Sequence, residues 1–167
     1  EKYSFTSPKY SAEMENDSLV KLQYLDIIRE MRNIPEIECF AVAYGSAYAN
    51  SGSFSGGELF ADTALSKRTH LQSYHFVPVE GSDILKTYRL KDVNSGVTMT
   101  IAPDFASRNL IYLSENSAKM LYGRTDVVGE KCYNYKKEVQ EIAGVFKDFK
   151  DRDYNQPYPT IFTTGDY

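Results

Sequence analysis

The sequence predicts an α+β domain, an α/β sandwich half whose chain is interrupted by a β-rich lobe. Three observations carry that prediction. An amphipathic helix runs through a proline turn into a strand over residues 18–44. Short alternating runs, separated by Gly, Asn and Ser turns, fill residues 58–103. A strand–helix–strand unit with its own cap and stop signals fills residues 110–149.

A chain of 167 residues suits one domain, or one domain with an inserted lobe. The net charge is −4, with both signs interspersed, which argues against a phosphate-backbone binder; no nucleic-acid partner is expected. Fourteen Tyr and nine Phe without any Trp suit strands with one wet face, and interaction surfaces. No run of 18 or more apolar residues occurs. The first residue is Glu1 and no charged-then-apolar leader follows it, so the expectation is a piece of a longer protein. Cys39 and Cys132 allow one disulfide without implying it. Cys39, beside Phe40 and Val42, reads as a small core residue.

Residues 1–16 read as an extended lead-in. Asp17 or Ser18 caps a helix over 18–33, where Val20, Tyr24, Ile27, Met31 and Ile34 recur at spacings of 4, 3, 4 and 3. Burying that stripe is expected to contribute about 1.5–3 kcal/mol per side chain, so Ile27→Asp is expected to be severely destabilising. Pro35 ends the helix by disfavouring the α conformation at Ile34. Glu36–Tyr44 is apolar on both faces and predicts an inner strand.

Residues 45–57 are Gly- and Ser-rich. No Lys-Ser or Lys-Thr pair follows, so they read as a connector and not as a phosphate loop. Beyond them, 71–79 alternates as a strand whose Pro78 implies an edge position. Residues 84–90 are ambiguous between helix and strand, with Thr87 and Tyr88 tipping toward strand. Asn94-Ser95-Gly96 turns the chain into a strand at 97–101.

Leu110–Leu113 predicts a strand. Ser114 caps a helix over 115–122, Ala118 with Leu121 and Tyr122 forms its inner face, and Gly123 stops it in the left-handed conformation. Gly129 turns the chain into a strand at 131–133. A second strand, containing Gly144, follows over 139–149, and a last extended piece lies at 160–163.

No catalytic constellation emerges. His70 and His75 are five apart on a strand and so face opposite ways, which excludes a shared metal site. Asp148, Asp151, Asp153 and Asp166 lack the ligand spacing of a hard-cation loop, because Phe149 and Lys150 break it; they read as a solvated charged loop. Ser114 lacks a nucleophile elbow. The chain is read as a non-enzyme without cofactor or metal.

Several stretches together resemble the MacB-like periplasmic core domain of ABC-transporter permeases of the MacB and FtsX type. They are Ile34-Pro35-Glu36-Ile37-Glu38, Ser114-Glu115-Asn116-Ser117-Ala118, Leu121-Tyr122-Gly123, Asp126-Val127-Val128-Gly129-Glu130, Ala143-Gly144-Val145-Phe146-Lys147-Asp148-Phe149 and Pro157-Tyr158-Pro159. Their order matches the family over roughly residues 17–163. Members usually continue past this point with a further helix and strand.

The resemblance implies a single extracytoplasmic domain over 1–167. It would have a porter-like α/β part at 17–48 plus 136–164 and an inserted β-rich lobe at 52–134. It implies Ser114, Ala118, Gly123, Gly129 and Gly144 as structural motif residues. It also implies membrane anchoring in the full-length protein, on the periplasmic side of the inner membrane. The implied partners are a second permease copy, a cytoplasmic ABC ATPase reached through membrane helices, and a periplasmic protein. The implied function is mechanotransmission, in which ATP-driven helix motion is coupled to export or signalling outside. The alternative is an extracellular ligand- or peptide-binding module using the Tyr-rich lobe, and Tyr48, Phe54 and Tyr74 are the expected partner contacts.

Overall fold

The computed structural model describes residues 17–44, 55–66, 69–76, 81–105, 107–149 and 159–164. It divides into two compact units, Glu1–Glu38 and Cys39–Tyr167.

The first unit contains helix α1 (Asp17–Arg32). Its end is closed by Asn33 N–H to Glu30 O at 3.0 Å, just ahead of Pro35. The apolar stripe is covered only in part. Ile28 is 6% exposed, but Ile27 is 54% exposed, with Leu25 and Ile34 also open. The expected burial of Ile27 is therefore corrected. Successive helix residues lie about 100° apart, so a surface that covers Ile28 leaves Ile27 outside.

Among the described residues, the second unit is built on one seven-stranded mixed sheet. Its strands are β1 (Ala43–Tyr44), β2 (Ser55–Leu59), β3 (Thr69–Phe76), β4 (Leu110–Ser114), β5 (Lys131–Tyr133), β6 (Val139–Phe146) and β7 (Thr160–Thr164). The order is β1-β3-β7-β4-β6-β5, with β2 also on β3. Both β1 and β2 run antiparallel to β3. Tyr44 lies opposite His75 and Ser55 opposite Ser73, so β1 and β2 lie along the same side of β3. β7 is parallel to β3 and antiparallel to β4, while β4 is parallel to β6. Phe60, directly after β2, exchanges two 2.9 Å backbone bonds with Tyr133 of β5. That exchange brings the two margins of the sheet together. The proposed division into 17–48 plus 136–164 and 52–134 coincides with no break in the sheet: β7 lies between β3 and β4.

Side-chain alternation along the central strands builds two cores, one on each face. Leu110, Tyr112, Phe146 and Phe162 join Ile84, Leu85, Leu90 and Phe105 in one. Ile111, Leu113, Val145 and Ile161 join Ala118, Leu121 and Val127 in the other. Helix α3 (Glu115–Tyr122) covers the second face. The short helix α2 (Ile84–Thr87) and the chain after it cover the first. All five residues of β4 are buried in consequence.

Four local expectations are corrected. Within Glu36–Tyr44 only β1 is a strand. Phe40 bridges Ser82, its carbonyl accepting from Asp83 N–H at 2.9 Å, so ahead of β1 the segment meets a turn and not a strand. β3 is not an edge strand, since it has partners on both sides; it ends at Phe76, and Pro78 lies outside the described residues. Residues 84–87 are helical because Asp83 accepts from Lys86 N–H at 3.0 Å, a cap that outweighs the strand preference of Thr87 and Tyr88.

The fourth concerns residues 97–101, which lie partly in the outer arm of a ribbon at 90–99 and not in a core strand. Its inner arm is bonded to the end of β6 through Val93 N–H to Val145 O (3.0 Å) and Lys147 N–H to Lys91 O (2.8 Å). Asp92 Oδ1 holds the turn by accepting from Asn94 N–H at 3.0 Å and Ser95 N–H at 2.7 Å.

Candidate functional site

Of the motif residues, Ser114 lies where β4 gives way to α3. Ser114 is 1% exposed. Its Oγ accepts from Ser117 N–H at 3.2 Å, capping the helix, and from Thr160 N–H at 3.0 Å, tying in the start of β7. Ser117 Oγ lies 2.9 Å from Ser114 Oγ and donates to Thr160 O at 2.9 Å. Two small hydroxyl side chains thus join the β4–α3 corner to β7 in a dry setting, where an unmade bond is costly.

Asp148 completes the corner. β6 runs parallel to β4, so the residues after its end arrive beside the first turn of α3. Asp148 Oδ1 accepts from Asn116 N–H at 3.0 Å. Burial pushes the carboxyl above its ordinary pKa, the neighbouring Glu115 adds to this, and the bond from Asn116 and the charge of Lys119 oppose it. Glu115 is bonded to Lys119 at 2.6 Å one turn on. The expected solvated-loop role of Asp148 is corrected to a second helix cap.

Ala118 is fully buried, where its small side chain lets α3 lie close to the sheet. Gly123 is left-handed at φ 73° and donates to Lys119 O at 2.9 Å. Gly129 has φ 84° and donates to Ile142 O at 2.8 Å. Gly144 serves a different need. A Cβ there would lie 2.5 Å from Met99 Cε and 3.1 Å from the Tyr112 ring. The β4–β6 register slips beside it, from Ile111 opposite Ile142 to Tyr112 opposite Gly144. Tyr112 therefore crosses the bare backbone of Gly144, and its hydroxyl accepts from Ala102 N–H at 2.8 Å.

Of the expected partner contacts, Tyr48 and Phe54 lie outside the described residues. Tyr74 is 4% exposed and stacks on Phe162 at 5.3 Å. It is a core residue, and its assignment to a partner surface is corrected. β3 being central, with Tyr74 pointing into the first core, accounts for this.

Among the described residues no group of three or more His, Cys, Asp and Glu side chains could hold a metal ion. His70 approaches Glu58 at 3.8 Å, and His75 Nε2 lies 3.0 Å from Ser73 Oγ. Both cysteines are free; burial pushes the Cys132 thiol up to about 12, which keeps it protonated. An open cavity of about 400 Å³ lies between the ribbon and the sheet. It is lined by residues 97–103 with Asp92, Ser95, Tyr112 and Ala143. Asp92 is its one carboxylate, and the turn already occupies it.

Sequence reasoning missed Asp83, Tyr112, Asp148 and Phe60. Asp83 caps α2 with one carboxylate oxygen and holds Ile101 N–H with the other at 3.1 Å. A Ser-Asp pair immediately before the apolar Ile84-Leu85 was its available signal. The contacts of the other three depend on strand neighbours distant in sequence.

Fold and site together define an α+β domain in which Ser114, Ala118, Gly123, Gly129 and Gly144 cap, stop, turn and pack the chain. No protein-family model matches the sequence, and no curated protein does. Among solved structures, the fold is similar to the extracellular domain of the noncanonic ABC-type transporter YknZ from Gram-positive bacteria. The TM-score is 0.53 at 12% identity, over 83% of this chain and 60% of that one. The periplasmic region of MacB from Actinobacillus actinomycetemcomitans aligns with a TM-score of 0.49 at 12% identity, over 82% of this chain and 54% of that one. The chain thus has the fold of an ABC-transporter extracellular domain and spans about three-fifths of the length of the YknZ domain. No described helix is long and apolar enough to cross a membrane.

Proposed function

We propose that this chain is the extracytoplasmic part of an ABC-transporter permease subunit, and that it couples ATP-driven motion of membrane helices to export or signalling outside. The observation that carries this reading is the fold shared with the YknZ extracellular domain over most of the chain. The corner residues support it: their hydrogen bonds tie α3, β4, β7 and the end of β6 to one another, as a part that transmits displacement requires. The full-length protein is anchored in the membrane with this domain outside, acts with a second permease copy and a cytoplasmic ATPase, and meets a periplasmic protein. It binds no nucleotide itself.

The placement is tested in cells making the full-length protein with Cys39→Ser and Lys136→Cys. Lys136 is exposed on the β5–β6 hairpin, and the buried Cys132 thiol is unreactive. A membrane-impermeant maleimide is expected to label the outer surface of intact spheroplasts. Labelling only after the membrane is broken would contradict the placement.

A further inference from the structure

The ribbon at 90–99 ends in an open strand edge. Lys91 faces Thr98, and the hydrogen bonds flank this pair: Asp92 N–H to Val97 O at 2.9 Å and Met99 N–H to Leu90 O at 2.8 Å. In such a non-hydrogen-bonded pair, the N–H and C=O of each residue point away from the other. Lys91 spends its outward carbonyl on Lys147 of the sheet. The outward groups of Thr98 have no partner among the described residues. The hydrogen-bonded ladder runs from β4 through β6 and Lys91 to Thr98, and stops there in solvent.

The residues on this edge do nothing to blunt it. Val97-Thr98-Met99-Thr100-Ile101 carries no charge and no proline, and four of the five are β-branched. Val97 is 65% exposed, and Thr98 and Thr100 are exposed as well. At the other margin of the sheet, β5 is joined through Tyr133 to Phe60 and carries Lys131. The 400 Å³ cavity opens alongside the bare edge, with Ile101, Ala102, Tyr112 and Ala143 in its wall.

We propose that the Val97–Ile101 edge is a docking site for an extended, uncharged segment of a partner polypeptide. The segment adds as a further strand through the N–H and C=O of Thr98 and seats one apolar side chain in the cavity. Three features select this occupant. The outward N–H and C=O of Thr98, held in an extended ribbon, recognise another extended backbone. No charged side chain lies within Val97–Ile101, so the edge itself gives a charged segment no counter-charge. The cavity beside the edge gives alternate side chains of an added strand somewhere to go, which a flat pairing of two identical edges does not use. The proposal stands on this geometry and is independent of the permease assignment.

The probe is a phage-displayed library of random ten-residue peptides, panned on the wild-type domain and counter-selected on Thr98→Pro. That substitution deletes the outward N–H and spares both bonds of the ribbon, which use Val97 O and Met99 N. Recovered peptides are synthesised and titrated into the domain. Wild type and Thr98→Val, which keeps the N–H, are expected to bind alike, and Thr98→Pro at least tenfold more weakly. Hydrogen exchange at the Thr98 amide of the wild-type domain is expected to slow on binding, a readout that holds even if Thr98→Pro fails to fold. Recovery of no binding peptide, or peptides that leave Thr98 exchange unchanged, would overturn the proposal. So would a dimer of the free domain that Thr98→Pro dissolves, because the occupant would then be a second copy.

Discussion

Ser114 and Asp148 act on the same helix from two strands, and their chemistry differs. The serine is neutral and buried; the aspartate is a carboxylate drawn partly out of water. With its pKa raised in the folded state, Asp148 binds its proton more tightly in the folded chain than in the unfolded one. Its favourable contribution is therefore complete below the ordinary carboxylate pKa and is lost as pH rises through the raised value. Asp148→Asn keeps an oxygen for Asn116 N–H and removes the charge. Its melting temperature is expected to exceed that of wild type at pH 7 and to match it near pH 3. A variant less stable than wild type at pH 7 would show that the charge itself strengthens the cap. The Ser114 cap was legible in the sequence because Ser-Glu precedes an apolar run. Asp148 was not, because its role depends on β6 lying parallel to β4.

At the scale of elements, strand–helix–strand punctuation was readable and pairing was not. The 115–122 helix, its Gly123 stop and the strands at 110, 131, 139 and 160 follow from local signals that tertiary structure did not override. The strand expected across 36–44 and the edge position expected for β3 both required knowledge of neighbours. Apolar content on both faces predicts burial, but not which strand supplies the hydrogen bonds. Gly144 shows the same limit: the motif flags it, and only the fold shows Met99 and Tyr112 crossing its backbone. Gly144→Ala is expected to lower stability by about 1–3 kcal/mol through overpacking, measured by urea denaturation. Met99→Ala in the same chain is expected to reduce that penalty, because the nearest clash is with a flexible terminal methyl. An unaltered transition midpoint in Gly144→Ala would show that this contact relaxes freely.

At the scale of the whole molecule, the α+β class and the permease-domain likeness were legible, and the strand order was not. The described strands form one sheet, joined across its margins by Phe60 and Tyr133, in which strands expected in separate parts are direct neighbours. Neither composition nor periodicity reports strand order, and helix periodicity alone did not settle which side of α1 is covered. Ile27→Asp is now expected to change the stability of the domain by no more than about 0.5 kcal/mol, as for other exposed positions. A large fall in its melting temperature would mean that Ile27 is buried in solution.

Coupling requires two discrete arrangements that nucleotide binding populates differently. The proposed coupling is measured most directly as the distance between spin labels at Lys136→Cys on two copies of the full-length protein, reconstituted in vesicles with the ATPase that the proposal assigns to it. Pulsed dipolar spectroscopy would compare the nucleotide-free and ATP-trapped states. A displacement of the distance distribution between the two states is the predicted result. Superimposable distributions, with ATP turnover confirmed in the same vesicles, would contradict the coupling role.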